Sequence, residues 1–261
     1  MRPAVGPRVR VFLTGASSGI GAALASHYAA SGAQLGLFAR RADALSNLAV
    51  SLGSASSAVY VGDVRNAGSL RDAAADFIAR FGVPDVVIAN AGVSVGTSTA
   101  HAEDNEVFRA IIDTNVLGIV HTFQPFVSAM LGTRRGTLVG IASVAGFRGL
   151  PGAGAYSASK AGAIAYLESL RVELVDTGVA VVTICPGYIA TPMTEGNPYP
   201  MPFLLRVDRG ARLIARAIDQ RRRFYVLPWQ MAWLGRLLKI LPRPIYDRAL
   251  AGRPGKPRAR H

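Results

Sequence analysis

Cysteine is almost missing from this 261-residue chain, and Cys185 is the only one. A lone thiol cannot pair within the chain, so a disulfide-stapled scaffold is excluded and a reducing compartment, the cytoplasm, is expected. Charged residues are also scarce, at 17%. Half of the residues are hydrophobic, which excludes global disorder and leaves ample material for a core. No uninterrupted apolar run approaches the ~20 residues that span a bilayer. Val9–Leu13 is too short for a signal-peptide core, so no targeting segment is expected. His27, His101, His121 and His261 show no metal-ligand spacing, and no metal is expected.

Lysine is scarce in a more pointed way: Lys160 is the only one before residue 206. The net charge of +13 is also unevenly distributed. Residues 1–205 carry 14 Lys/Arg against 13 Asp/Glu, and residues 206–261 carry 15 against 3. A nearly neutral body is therefore followed by a strongly basic end. The surplus bears on where the protein sits more than on what it catalyses. Nucleic acid is an unlikely partner, because the tail has no zinc-finger spacing and no helix-turn-helix pattern.

The body alternates short β-branched runs with helical stretches. Runs at Val9–Leu13, Gln34–Ala39, Ala58–Val61, Asp85–Ala89, Thr137–Ala142 and Val179–Ile184 lack polar alternation, as strands covered on both faces do. Helices are predicted at about 20–31, 42–52, 69–81, 105–131 and 153–176. Repeated strand–helix–strand units imply right-handed crossovers and an α/β fold: a Rossmann-like, doubly wound parallel sheet of about seven strands. Residues 1–227 are expected to form one domain. Residues 228–261 form a basic amphipathic extension.

Gly15-Ala16-Ser17-Ser18-Gly19-Ile20-Gly21 follows the first strand and opens the first helix. Such glycines allow a tight turn and let backbone approach a pyrophosphate, while the helix N-terminus supplies amides and a positive dipole end. With Thr14 in front, the spacing resembles the Thr-Gly-x-x-x-Gly-x-Gly turn of the short-chain dehydrogenase/reductase family. Asn90-Ala91-Gly92, Asn115, Ser143, Tyr156, Lys160, Pro186-Gly187 and Thr191 follow in that family's order over roughly residues 9–195. Ala89 departs from the pattern, where the family commonly has a second asparagine.

Tyr156 and Lys160 also make chemical sense on their own. Four apart on a helix, they project from one face. An ammonium near a phenol favours the phenolate, so the phenol pKa is expected to fall from about 10 toward the working pH. Such a tyrosine donates a proton to a carbonyl under reduction or takes one from an alcohol, and Ser143 can hydrogen-bond the same oxygen. The resemblance implies that Lys160 also holds the nicotinamide ribose and that Asn115 completes a proton relay. It further implies that Pro186, Gly187, Ile189 and Thr191 surround the nicotinamide carboxamide.

Arg40 and Arg41 end the second strand, where an acidic residue would select a ribose hydroxyl and arginine accepts a 2′-phosphate. NADP(H) is therefore expected over NAD(H), with Ser17 adding a hydroxyl. Asp63 and Val64 end the third strand; Asp63 either contacts the adenine, as the resemblance implies, or caps the following helix. Cys185 reads as a buried apolar residue.

The resemblance implies that residues 1–227 are a catalytic domain with a substrate lid at about 193–222, whose apolar Tyr199, Met201 and Phe203 point to a hydrophobic carbonyl or alcohol substrate: lipid-like, steroid-like or 3-oxoacyl. The competing function is a catalytically silent NADP-binding regulator on the same fold. The family's habit is a homodimer or homotetramer. In the extension, Pro228 to Leu241 reads as a short helix whose large apolar side chains cover about 200° of arc, with Arg236 and Lys239 on the Ala232/Gly235 side. That pattern fits either an anchor on an anionic membrane surface or a helix packed on the body.

Overall fold

The computed structural model describes residues 8–53 and 57–258. Among them, seven parallel strands form one sheet in the order β3-β2-β1-β4-β5-β6-β7. The strands are β1 (Arg10–Thr14), β2 (Gln34–Ala39), β3 (Ser57–Val61), β4 (Val86–Ala89), β5 (Gly136–Ile141), β6 (Val179–Pro186) and β7 (Phe224–Leu227). The order reverses between β1 and β4, and a crevice opens beyond the carboxyl ends of the strands at such a switch.

Alternate side chains of the inner strands feed two cores. Val11, Leu13, Leu35 and Leu37 meet helices α1 (Gly19–Ala30), α2 (Ala42–Ser51) and α7 (Val207–Asp219) on one face. Phe12 and Leu138 meet α3 (Ala67–Phe81), α5 (Gly118–Thr133) and α6 (Gly154–Glu173) on the other. In that second core Phe12 lies 4.8 Å from Phe126 and edge-on to Phe77 at 5.6 Å. Gly36 is required beneath them, since a Cβ there would sit 2.6 Å from the Phe77 ring.

The helix expected at 105–131 is continuous but not uniform. It runs as α4 (Asp104–Ile112), a π-helical turn (Asp113–Leu117) and α5. By length and composition this run could cross a membrane. Here Ile119, Phe123, Phe126 and Met130 are buried in the domain core. Helix α3 begins two residues before its expected start because Asn66 Oδ1 accepts from the Gly68 and Ser69 amides.

Within residues 193–222, Ile214, Ala215, Ala217 and Ile218 bury α7 against the first core, and the irregular stretch before that helix runs to Arg206. Its base is closed by Ala190 N–H donating to Leu205 O (2.8 Å) and Leu205 N–H to Tyr188 O (2.9 Å). Past β7, the extension forms α8 (Trp229–Ile240) and α9 (Arg243–Leu250), with Pro228 just outside the helix instead of in its first position. Both pack on the body. Gly235 lets α8 approach the Phe147 ring, Arg148 Nη1 donates to Leu238 O (2.9 Å), and Tyr246 donates to Gly149 O (2.6 Å).

Candidate active site

A cleft of about 450 Å³ lies beyond the carboxyl ends of the strands. The glycine turn forms one wall. Gly15 and Gly19 have φ of +67° and +55°, which glycine adopts without strain. A Cβ on Gly15 would lie 2.7 Å from Ala91 Cα, and one on Gly21 would lie 2.2 Å from Gly15 O. The turn is thus pressed between β4 and its own helix. Asn90 fixes it by donating from Nδ2 to Thr14 O (3.1 Å) and Gly15 O (3.2 Å). These bonds are made although Ala89 is buried in β4 where the family has asparagine. Ser18 precedes α1 and makes no side-chain cap hydrogen bond to the amides of its first turn.

At the far end of this wall, Arg41 donates to Ser17 Oγ (3.1 Å), and Arg40 stands 3.9 Å from Asp63 Oδ2. Asp63 does not cap α3, because Asn66 does. Its carboxylate instead accepts from the Arg65 amide (2.9 Å) and side chain (2.7 Å), which holds its pKa below the usual range.

Ser143 follows β5, where Oγ accepts from Ala145 N–H (3.1 Å) and donates to Pro186 O at 3.4 Å. Tyr156 lies in the first turn of α6 and Lys160 one turn later, buried, with Nζ donating to Ile141 O (2.8 Å). The expected lowering of the phenol pKa is not what the protein groups produce. Burial raises it, opposed by the nearby Ser143 hydroxyl, and burial pulls Lys160 down to about 8. The ammonium is 5.8 Å from the Tyr156 ring centroid and is engaged by a carbonyl, so desolvation outweighs its field. Tyr156 is therefore a neutral phenol at pH 7, the form that donates a proton.

Two predicted residues stand behind the cleft instead of lining it. Gly21 packs α1 onto the turn. Buried Asn115, in the π turn, accepts from Val93 N–H (2.8 Å) and donates to Val93 O (2.9 Å) and Ser159 Oγ (2.9 Å). Gly15, Ser17, Ser18, Gly19, Ile20, Arg40, Arg41, Asp63, Val64, Asn90, Ala91, Gly92, Ser143, Tyr156, Lys160, Pro186, Gly187, Ile189 and Thr191 all line it. Cys185 is buried with its thiol pushed up to about 12, which keeps it protonated. His27 lies in α1, and His121 contacts Val64 O through Nδ1 (2.9 Å). His101 pairs with Glu103, and His261 lies outside the described residues.

Sequence reasoning missed Thr194, whose hydroxyl donates to Ile189 O (2.7 Å) and so folds the loop around Thr191. It also missed the last residues of the extension. Gly96 N–H donates to Pro257 O (2.9 Å), and Lys256 Nζ donates to Met193 O (3.3 Å). Arg258 grips Asp104 (2.8 Å) and Glu103 (3.1 Å). No spacing rule connects a C-terminal arginine to a helix 154 residues earlier.

The short chain dehydrogenase family model matches residues 10–199. The chain belongs to that family. An uncharacterized oxidoreductase of Myxococcus xanthus is 40% identical over 240 residues, covering 91% of this chain and 94% of the relative. Among solved structures, an alcohol dehydrogenase from Thermococcus sibiricus, complexed with 5-hydroxy-NADP, aligns with TM-score 0.75 and 28% identity. It covers 84% of this chain and 95% of its own. A variant of actinorhodin polyketide ketoreductase with NADPH aligns with TM-score 0.77 and 26% identity over 85% and 96% of the two chains. This short-chain dehydrogenase thus shares its fold with oxidoreductases that bind nicotinamide cofactors and act on small carbonyl or alcohol substrates.

Proposed function

We propose that the protein is an NADP(H)-dependent oxidoreductase that interconverts a carbonyl and a secondary alcohol on a hydrophobic substrate, with Tyr156 as acid/base. The supporting observation is the single continuous cleft, lined at one end by Arg40 and Arg41 and at the other by Ser143, Tyr156 and Lys160. The glycine cradle and the uncapped start of α1 suit a pyrophosphate between these ends. The arginines suit a 2′-phosphate, because a guanidinium stays charged and matches phosphate geometry. The nicotinamide supplies or accepts the hydride.

Ser143 orients the substrate oxygen, and the neutral Tyr156 phenol gives it a proton. Lys160 supplies a buried positive charge that favours the phenolate left behind. Asn115 acts through its neighbours, holding the Val93 loop against α6. The lid supports an apolar substrate: Met193 lines the cleft, and Tyr188 and Tyr199 pack together at 6.4 Å.

Two variants test the reading with NADPH and a panel of aliphatic, aromatic and steroid ketones. Tyr156→Phe should lower turnover by about 10²–10⁴-fold while NADPH still binds. Undiminished turnover would remove Tyr156 from the chemistry. Arg40→Asp should raise KM for NADPH far more than KM for NADH, and equal changes would withdraw the cofactor preference.

A further inference from the structure

Both tryptophans of the chain lie on α8, and both face outward: Trp229 is 68% exposed and Trp233 64%. Leu237 (55%) and Ile240 (78%) continue the same stripe at helical spacing, and exposed Ile245 extends it onto α9. A helix that merely packed on the body would turn these side chains inward. Instead the small residue does the packing. Gly235 faces the Phe147 ring, where a Cβ would stand 2.4 Å away, and Met231 is buried beside Gly187. The large apolar face is left exposed.

Exposed cations accompany this face. Arg236, Lys239, Arg243, Arg248 and Arg253 are all exposed, and Asp247 is the only carboxylate between residues 229 and 258. Arg236 lies over the Trp233 ring at 5.5 Å, so charge and indole share one surface. A second copy docked on this face would bring cation against cation. An anionic bilayer instead offers apolar depth for the stripe and negative headgroups for these cations, and tryptophan favours that boundary.

We propose that α8 and α9 dock the protein on anionic lipid bilayers, with Trp229, Trp233, Leu237 and Ile240 inserted at the headgroup boundary. The proposal stands apart from the reductase reading, because none of these side chains belongs to the catalytic cleft.

The full-length protein carries its own reporter, since its only tryptophans are in the contact. Vesicles of phosphatidylglycerol should shift tryptophan emission to the blue and carry the protein down on sedimentation. Phosphatidylcholine vesicles should do so weakly, and salt should reverse the effect. Replacing Arg236 and Arg243 by Gln should lower partition about thirtyfold, at ~1 kcal/mol for each basic residue near the surface. Leu237→Asp with Ile240→Asp, at exposed positions, should abolish sedimentation and leave NADPH binding intact. Absence of binding to phosphatidylglycerol overturns the proposal, as does undiminished sedimentation of the Asp variant. A blue shift that grows with protein concentration alone, without vesicle binding, assigns the face to a second copy and also overturns it.

Discussion

Lys160 is the only lysine in the first 205 residues, and its ammonium is almost fully buried against the Ile141 carbonyl. Burial holds its folded pKa near 8, below the ordinary 10.5. Between those values the unfolded chain binds more protons than the native one, so this group makes stability rise with pH through the window. Below pH 8 its full cost is present. Lys160→Met should therefore gain stability over wild type most at pH 7, and the gap should narrow toward pH 10.5 while activity is lost. Urea midpoints at pH 7 and pH 10 check this, and a gap independent of pH would contradict it. The Tyr156/Lys160 pair was legible in the sequence because four-residue spacing fixes one helix face. The direction of the Tyr156 shift was not, because burial depends on the walls that neighbouring elements build. Asp63 shows the same limit: either role suited its position, and only the placement of Asn66 removes capping.

The long helix beside the site reads as one periodic stretch because its apolar residues keep helical spacing on both sides of Asn115. The π turn at Asp113–Leu117 is invisible to that periodicity, yet it inserts a residue and turns Asn115 toward Val93. Both backbone polar groups of Val93 depend on this side chain. Asn115→Ala should cost about 1–3 kcal/mol, the range for leaving a buried donor or acceptor unpaired. It should also lower kcat more than it weakens NADPH binding, because the Val93 loop lines the cleft. Denaturant melts and steady-state kinetics with NADPH report the two effects, and a variant with wild-type stability would remove the buttressing role. Strands were easier to read than such details, since β-branched runs covered on both faces are nearly continuous. Helix α8 was harder, because its pattern allowed either face to turn inward and Phe147 decided which one fits.

Across the whole molecule, the basic end folds back onto the body. Residues 251–258 cross three loops that follow β4, β5 and β6, meeting Gly96, Gly152 and Met193. Arg258 pins this strap at the start of α4, where its hydrogen bond is the main cause holding the Asp104 pKa below the usual carboxylate range. The neutral body and charged tail visible in composition could not reveal the contact, which joins residues more than 150 apart. Met193 lines the cleft, so the strap braces that wall of the cleft from outside. A chain ending at Leu250 should keep its fold and NADPH affinity but lose kcat/KM for ketone by as much as ~10²-fold, the cost of small misplacement near a reacting centre. Gly96→Val should act alike without shortening the chain, since its Cβ would meet Lys256 O. Arg258→Ala should have a smaller effect, because its partly exposed ion pairs are worth less than the whole strap. If the shortened chain matches wild type in kcat/KM, the strap has no part in shaping that wall of the cleft.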